Sequence, residues 1–111
     1  MIERDVDWLE FATTQELQSK RIIAKWIGNQ EIAVSIQDGT IRAFSNVCPH
    51  KGGPLNEGTW LDRARVRCPW HGYVFDVSTG QCLNRPNLGL RRYQWVERGG
   101  KILVSLRAPE P

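Results

Sequence analysis

The stretch Glu31–Ser45, EIAVSIQDGTIRAFS, is two runs of alternating apolar and polar residues with Asp38-Gly39 between them. On an extended chain successive side chains point to opposite sides. Ile32, Val34 and Ile36 therefore face one way, and Glu31, Ser35 and Gln37 the other, as in a half-buried strand. Asp-Gly tolerates positive φ at both central positions of a tight hairpin turn, so the stretch predicts a β-hairpin. Similar runs predict strands near Arg21–Ile27, Ala64–Arg67, Tyr73–Val77, Arg91–Val96 and Ile102–Leu106, with a second turn at Arg98-Gly99-Gly100-Lys101. Only TTQELQ, residues 13–18, has a cap-like Thr ahead of helix formers, and it is too short for more than about one turn. The expected fold is all-β, a small antiparallel sandwich or barrel with Gly/Pro-rich connections. The final RAPEP should be irregular.

A chain of 111 residues is expected to form one domain, 1–111. Its hydrophobic content is 41%, and five Trp and three Phe add large buried area. The net charge is +3 without any block of five or six like charges, which gives no support to a nucleic-acid-binding arm. The N-terminal MIERDVDW has no apolar signal-like core, and no apolar run approaches the roughly 20 residues that span a bilayer. A soluble, cytoplasmic protein with no membrane contact is expected. In a reducing compartment, Cys beside His reads as metal binding more readily than as a disulfide.

The strand pattern breaks twice, at Asn46–Leu55 and at Cys68–Gly72, and these breaks hold both histidines of the chain. The first contains Cys48-x-His50 and the second Cys68-x-x-His71. Two loops each offer one thiol and one imidazole. A two-Cys, two-His zinc site is one arrangement, although zinc sites commonly pair Cys with Cys and His with His at short spacing. A Cys48–Cys68 disulfide is another, but it gives no reason for two histidines at matching places. A third is a [2Fe–2S] cluster in which two His replace two Cys on one iron, which calls for one Cys and one His from each loop.

At these residues the sequence resembles the Rieske family, specifically the small Rieske-type ferredoxins of bacterial oxygenase systems. The resemblance rests on CPHKGGPLNEG from Cys48, CPWHGYVFDVSTG from Cys68, and the all-β pattern over nearly the whole chain. It implies one Rieske-type [2Fe–2S] cluster in a cluster-binding subdomain of two loops, about 46–84. By the same resemblance Cys48 and Cys68 would bind the inner iron, and His50 and His71 the outer one. Pro49 and Pro69 fix φ, and Gly52, Gly53 and Gly72 allow strained turns and let backbone N–H groups approach the sulfurs. A third, proline-containing loop covers the cluster in the family; Pro86–Leu90 would be its counterpart here, and an ordinary surface loop is the other reading.

Neutral His ligands raise the potential into a range of about −150 to +300 mV. High-potential relatives in respiratory complexes carry an extra Cys in each loop, joined as a disulfide, and place Ser and Tyr hydroxyls near the cluster. Gly53 and Trp70 occupy the extra-Cys positions here, Tyr73 stands in place of the Ser, and Phe75 in place of the Tyr. The expected potential is in the lower part of the range.

The resemblance implies a one-electron carrier between an NAD(P)H-dependent reductase and a terminal oxygenase. An oxygenase's mononuclear iron needs two further histidines and a carboxylate, and the chain has only the two His that a cluster would use. The chain is therefore read as an electron-transfer protein, not an enzyme. The alternatives are a Rieske-like small subunit of a nitrite reductase or other reductase complex, and a redox-sensing or interaction module. Arg63, Arg65 and Arg67 alternate, so on a strand they would share one face and could steer an acidic partner. Cys82 lies outside both loops and is read as a packed thiol.

Overall fold

The computed structural model describes residues 7–50, 52–70, 72–85 and 87–107. The elements are β1 (Leu9–Thr13), α1 (Thr14–Lys20), β2 (Ile22–Ile27), β3 (Gln30–Gln37), β4 (Thr40–Ser45), a 3₁₀ turn (Leu55–Glu57), β5 (Thr59–Trp60), β6 (Arg65–Arg67), β7 (Val74–Asp76), β8 (Gln94–Arg98) and β9 (Lys101–Ser105). Among the described residues they form three antiparallel three-stranded sheets, ordered β1-β9-β8, β2-β3-β4 and β5-β6-β7. The all-β expectation is met. No helix among the described residues is long and apolar enough to cross a membrane.

The β3–β4 hairpin forms in the register its turn dictates, with Gln37 opposite Thr40 and Ile32 opposite Ser45. Asp38 and Gly39 take φ of 55° and 79°, the paired left-handed conformation for which Asp-Gly is suited. Gly99 and Gly100 do the same between β8 and β9, at 59° and 78°.

The half-buried reading of β3 needs correction. Ile32, Ala33, Val34 and Ser35 are all buried, because each face of the β2-β3-β4 sheet meets its own core. Ile32 and Val34 pack with Phe11, Leu17, Ala43, Ile102 and Val104. Ala33, from the other face, joins Phe44, Leu55, Val66, Phe75, Val77, Cys48 and Cys68. The small side chain at Ala33 lets the β5-β6-β7 layer come close. Burying each of the larger apolar side chains contributes about 1.5–3 kcal/mol.

Arg91–Tyr93, expected as the start of a strand, pairs with β4 instead of β9. The Ser45 N–H donates to the Arg91 carbonyl at 2.8 Å and the Tyr93 N–H to the Ala43 carbonyl at 2.9 Å. That segment links the central sheet to the β1-β9-β8 sheet. The helix is also longer than its expected single turn. Thr13 and Glu16 form a reciprocal capping box: the Glu16 N–H donates to Thr13 Oγ1, and the Thr13 N–H to Glu16 Oε1, each at 3.0 Å. Such a cap contributes about 1 kcal/mol, and the buried Leu17 adds a tertiary anchor that a short helix otherwise lacks.

Candidate metal centre

The two loops are the same backbone made twice. In the first, the Cys48 N–H donates to the Gly53 carbonyl at 2.9 Å and the Gly52 N–H to the Cys48 carbonyl at 2.8 Å. In the second, the Cys68 N–H donates to the Tyr73 carbonyl at 2.8 Å and the Gly72 N–H to the Cys68 carbonyl at 3.1 Å. Gly52 and Gly72 hold φ of 83° and 76°, where a Cβ would be strained. Both loops are hairpin tips, one closed by the bridge between Val47 and Pro54, the other by the β6–β7 pair Arg67 and Val74.

Within this shared frame His50 stands third in its tip and His71 fourth, so Trp70 takes the place that His50 has in the first. His71 and Pro86 lie outside the described residues. His50 is half-buried, whereas Cys48 and Cys68 are 3% and 2% exposed, within the core that also holds Phe44 and Phe75.

Of the two roles expected of Gly53, the strained turn is not seen, whereas its backbone does lie close against the Cys68 sulfur. Its φ is not among the positive ones, but a Cβ there would stand 2.8 Å from Cys68 Sγ and 3.2 Å from Cγ and Cδ2 of Trp70. The two positions that hold the extra Cys pair in high-potential relatives therefore adjoin in this chain, filled by a glycine and the face of an indole. A buried thiol at each hairpin tip, with the His50 imidazole in the first, is a donor set that fits a two-metal sulfide cluster. Soft thiolates suit iron–sulfur centres, and imidazole suits iron.

Two asparagines pin the tips. Asn46, fully buried, donates from Nδ2 to Asn56 Oδ1 at 2.9 Å and accepts from the Asn56 N–H at 2.7 Å, tying the entry of the first loop to its exit. Asn84 accepts from the Val74 N–H at 3.0 Å and donates to the Gly72 carbonyl at 3.2 Å, holding the second tip from outside. Sequence reading did not single out either residue. Each makes contacts about ten residues away and leaves no periodic trace.

Tyr73 connects the two loops. Its ring meets the His50 ring edge-on, with centroids 4.5 Å apart and planes at 88°. Its hydroxyl accepts a 2.7 Å hydrogen bond from Arg85 Nη1, so it is turned toward the 82–90 segment. Within that segment Leu88 lies against the Cys48/Cys68 core, and the Cys82 N–H donates to the Leu88 carbonyl at 3.2 Å. Cys82 is buried, with Sγ 3.4 Å from Asn84 Oδ1.

The three arginines do not act alike. Arg65 and Arg67 flank buried Val66 on β6 and share its exposed face, whereas Arg63 lies before the strand. Arg63 pairs with Asp38 at 3.1 Å and Arg65 with Asp62 at 2.6 Å, so acidic neighbours offset two of the three. The Arg65 side-chain hydrogen bond, helped by the Ala64 N–H, holds the Asp62 carboxyl down to a pKa of about 2. Trp70 and Leu83, 57% and 48% exposed, add large apolar side chains to the surface of this region.

Comparison with known proteins agrees with this geometry. The family model described as the Rieske [2Fe–2S] domain matches residues 7–94. The chain is 36% identical over 91 residues to human apoptosis-inducing factor 3, covering 81% of this chain but only 15% of that protein. It is 25% identical over 100 residues to the ferredoxin component of the naphthalene 1,2-dioxygenase system of Pseudomonas aeruginosa, covering 89% of this chain and 95% of that one. The solved ferredoxin of carbazole 1,9a-dioxygenase from Nocardioides aromaticivorans IC177 superposes with a TM-score of 0.77 at 30% identity, covering 93% of this chain and 98% of that one. The chain belongs to the Rieske [2Fe–2S] family, whose cofactor is one Rieske-type [2Fe–2S] cluster.

Proposed function

We propose that the chain is a soluble, cytoplasmic one-electron carrier, not an enzyme by itself, acting as one domain between an NAD(P)H-dependent reductase and a terminal oxygenase. The observation that carries this is the doubled hairpin tip, each with a buried thiol beside an imidazole position, in a chain that spans most of the length of ferredoxin components of dioxygenase systems. Cys48, His50, Cys68 and His71 would hold the cluster. When bound, such a cluster takes up and releases one electron at a potential raised by its neutral His ligands.

The protein's own part is to hold and shield. The two tips fix the thiols by matching backbone hydrogen bonds, Gly53 lets the first tip pack directly against Cys68 Sγ, and Asn46 and Asn84 stop the tips from opening. Burial of both thiols limits reorganisation around added charge, while the half-buried His50 leaves a route to the surface. Arg67, exposed on the strand that leads into Cys68, is the arginine best placed to meet an acidic partner, because Arg63 and Arg65 already have carboxylates.

The test is transfer itself. Protein reduced with dithionite and freed of excess reductant is mixed with a ring-hydroxylating terminal oxygenase under stopped flow. Reoxidation that accelerates with oxygenase concentration, coupled to product formation, is the expected result. Reoxidation by a nitrite reductase but by no oxygenase would replace this reading with that of a reductase subunit. At low salt Arg67→Glu should slow transfer more than Arg63→Glu, and the difference should shrink as salt screens the charges.

A further inference from the structure

We infer that Arg85 is a positioning residue for the metal centre: held over Tyr73, it places a fixed positive charge behind His50 and favours the reduced cluster. The inference rests on the reading that His50 is a ligand. Three residues on separate segments make the arrangement. The Arg85 guanidinium sits 5.7 Å from the Tyr73 ring centroid, its Nη1 donates to Tyr73 Oη at 2.7 Å, and the Tyr73 ring abuts the His50 ring edge-on at 4.5 Å. The hydrogen bond to the Tyr73 hydroxyl holds the long Arg side chain in one place, which an isolated exposed charge would not keep.

Reduction adds one negative charge to the cluster. The two centroid distances keep the guanidinium within about 10 Å of the His50 ring. Taking the His50 ring as the near edge of the charge that reduction adds, a unit charge at that separation shifts a one-electron equilibrium by up to about twofold in water-like surroundings and up to about fifteenfold at an effective dielectric near 20. Arg85 is exposed, which places the effect toward the lower end, about two- to fivefold. For a one-electron couple at 59 mV per tenfold, that is roughly 20–40 mV. Tyr73 stands where high-potential relatives place a Ser hydroxyl, so here the local donor is replaced by a charge acting through a ring.

The experiment is a spectroelectrochemical titration of the iron-loaded full chain at low salt and at 1 M KCl. Arg85→Gln should lower the reduced-to-oxidised ratio two- to fivefold at a fixed potential in low salt, and most of that loss should vanish at 1 M, where the Debye length is about 3 Å. Arg85→Lys should retain most of the wild-type ratio. Tyr73→Phe, which keeps the ring and releases the guanidinium, should fall between wild type and Arg85→Gln. Coincident curves for wild type and Arg85→Gln at low salt, or an Arg85→Lys curve that follows Arg85→Gln, would overturn the inference. Iron and labile-sulfide content are measured first: a wild-type chain without cluster defeats the ligand reading, whereas a loaded chain insensitive to Arg85 defeats only this inference.

Discussion

Gly53→Ala puts one methyl group where none fits. The new Cβ would stand 2.8 Å from Cys68 Sγ and 3.2 Å from two Trp70 ring carbons. Non-bonded carbon contacts settle at about 3.5–4.0 Å, so the sulfur is overlapped by roughly 0.7 Å or more. Trp70 is exposed and can swing away. Cys68 cannot: it is 2% exposed, and its N–H is tied to the Tyr73 carbonyl. Overpacking of this kind costs about 1–3 kcal/mol. At about 4 °C per kcal/mol for a domain near this size, the expected loss is roughly 4–12 °C in the temperature at which the cluster's visible absorbance disappears. Scan rates must match, because cluster loss is irreversible.

Gly52→Ala is the control. It meets only Val47 Cγ1, at 3.9 Å, but must hold φ of 83°, a strain of about 1–2 kcal/mol. Both variants lose stability, yet only Gly53→Ala should also change the electron paramagnetic resonance spectrum of the reduced protein. Adding Trp70→Ala should relieve the ring overlap and leave the altered spectrum. A Gly53→Ala protein with wild-type iron content, melting and spectrum would show that the Gly53 backbone does not pack tightly against Cys68 Sγ.

Asn46→Ala leaves the Asn56 N–H without its acceptor in the interior, which costs about 1–3 kcal/mol and should lower the urea midpoint by roughly 1 M. His71→Ala should abolish or drastically alter the visible and paramagnetic signals of the cluster. Cys82→Ser should leave those signals unchanged, because Cys82 meets Asn84 and the core and belongs to neither tip. The midpoint potential of the wild-type protein should lie in the lower part of the range of about −150 to +300 mV, and a redox titration near the upper end would contradict the reading of Gly53, Trp70, Tyr73 and Phe75.

Much of this architecture is written locally. Asp38-Gly39 and Gly99-Gly100 dictate their turns through φ alone, and the repeated Cys-Pro and Gly spacing marks both tips. What escapes sequence reading depends on partners far along the chain. Ala33 and Ser35 are small and mildly polar, and in isolation resemble a solvent face, yet a second layer covers them. β1 and the two-residue β5 are strands only because β9 and β6 lie beside them. Asn46 and Asn84 are single polar residues whose hydrogen bonds cross ten or twelve positions, so no periodicity announces them. The arginine alternation is visible, but its charge is partly offset by Asp38 and Asp62, which sequence spacing does not reveal.

The central claim is that two thiolates and two imidazoles, one of each per hairpin, hold one two-iron cluster. Pulsed electron paramagnetic resonance of the reduced protein, alongside iron and acid-labile sulfide analysis, tests it most directly. The account predicts two irons and two sulfides per chain, and hyperfine coupling to two histidine nitrogens that loses one partner or the whole signal in His50→Ala. Stoichiometric zinc without labile sulfide, or a paramagnetic cluster with no nitrogen coupling, would contradict it.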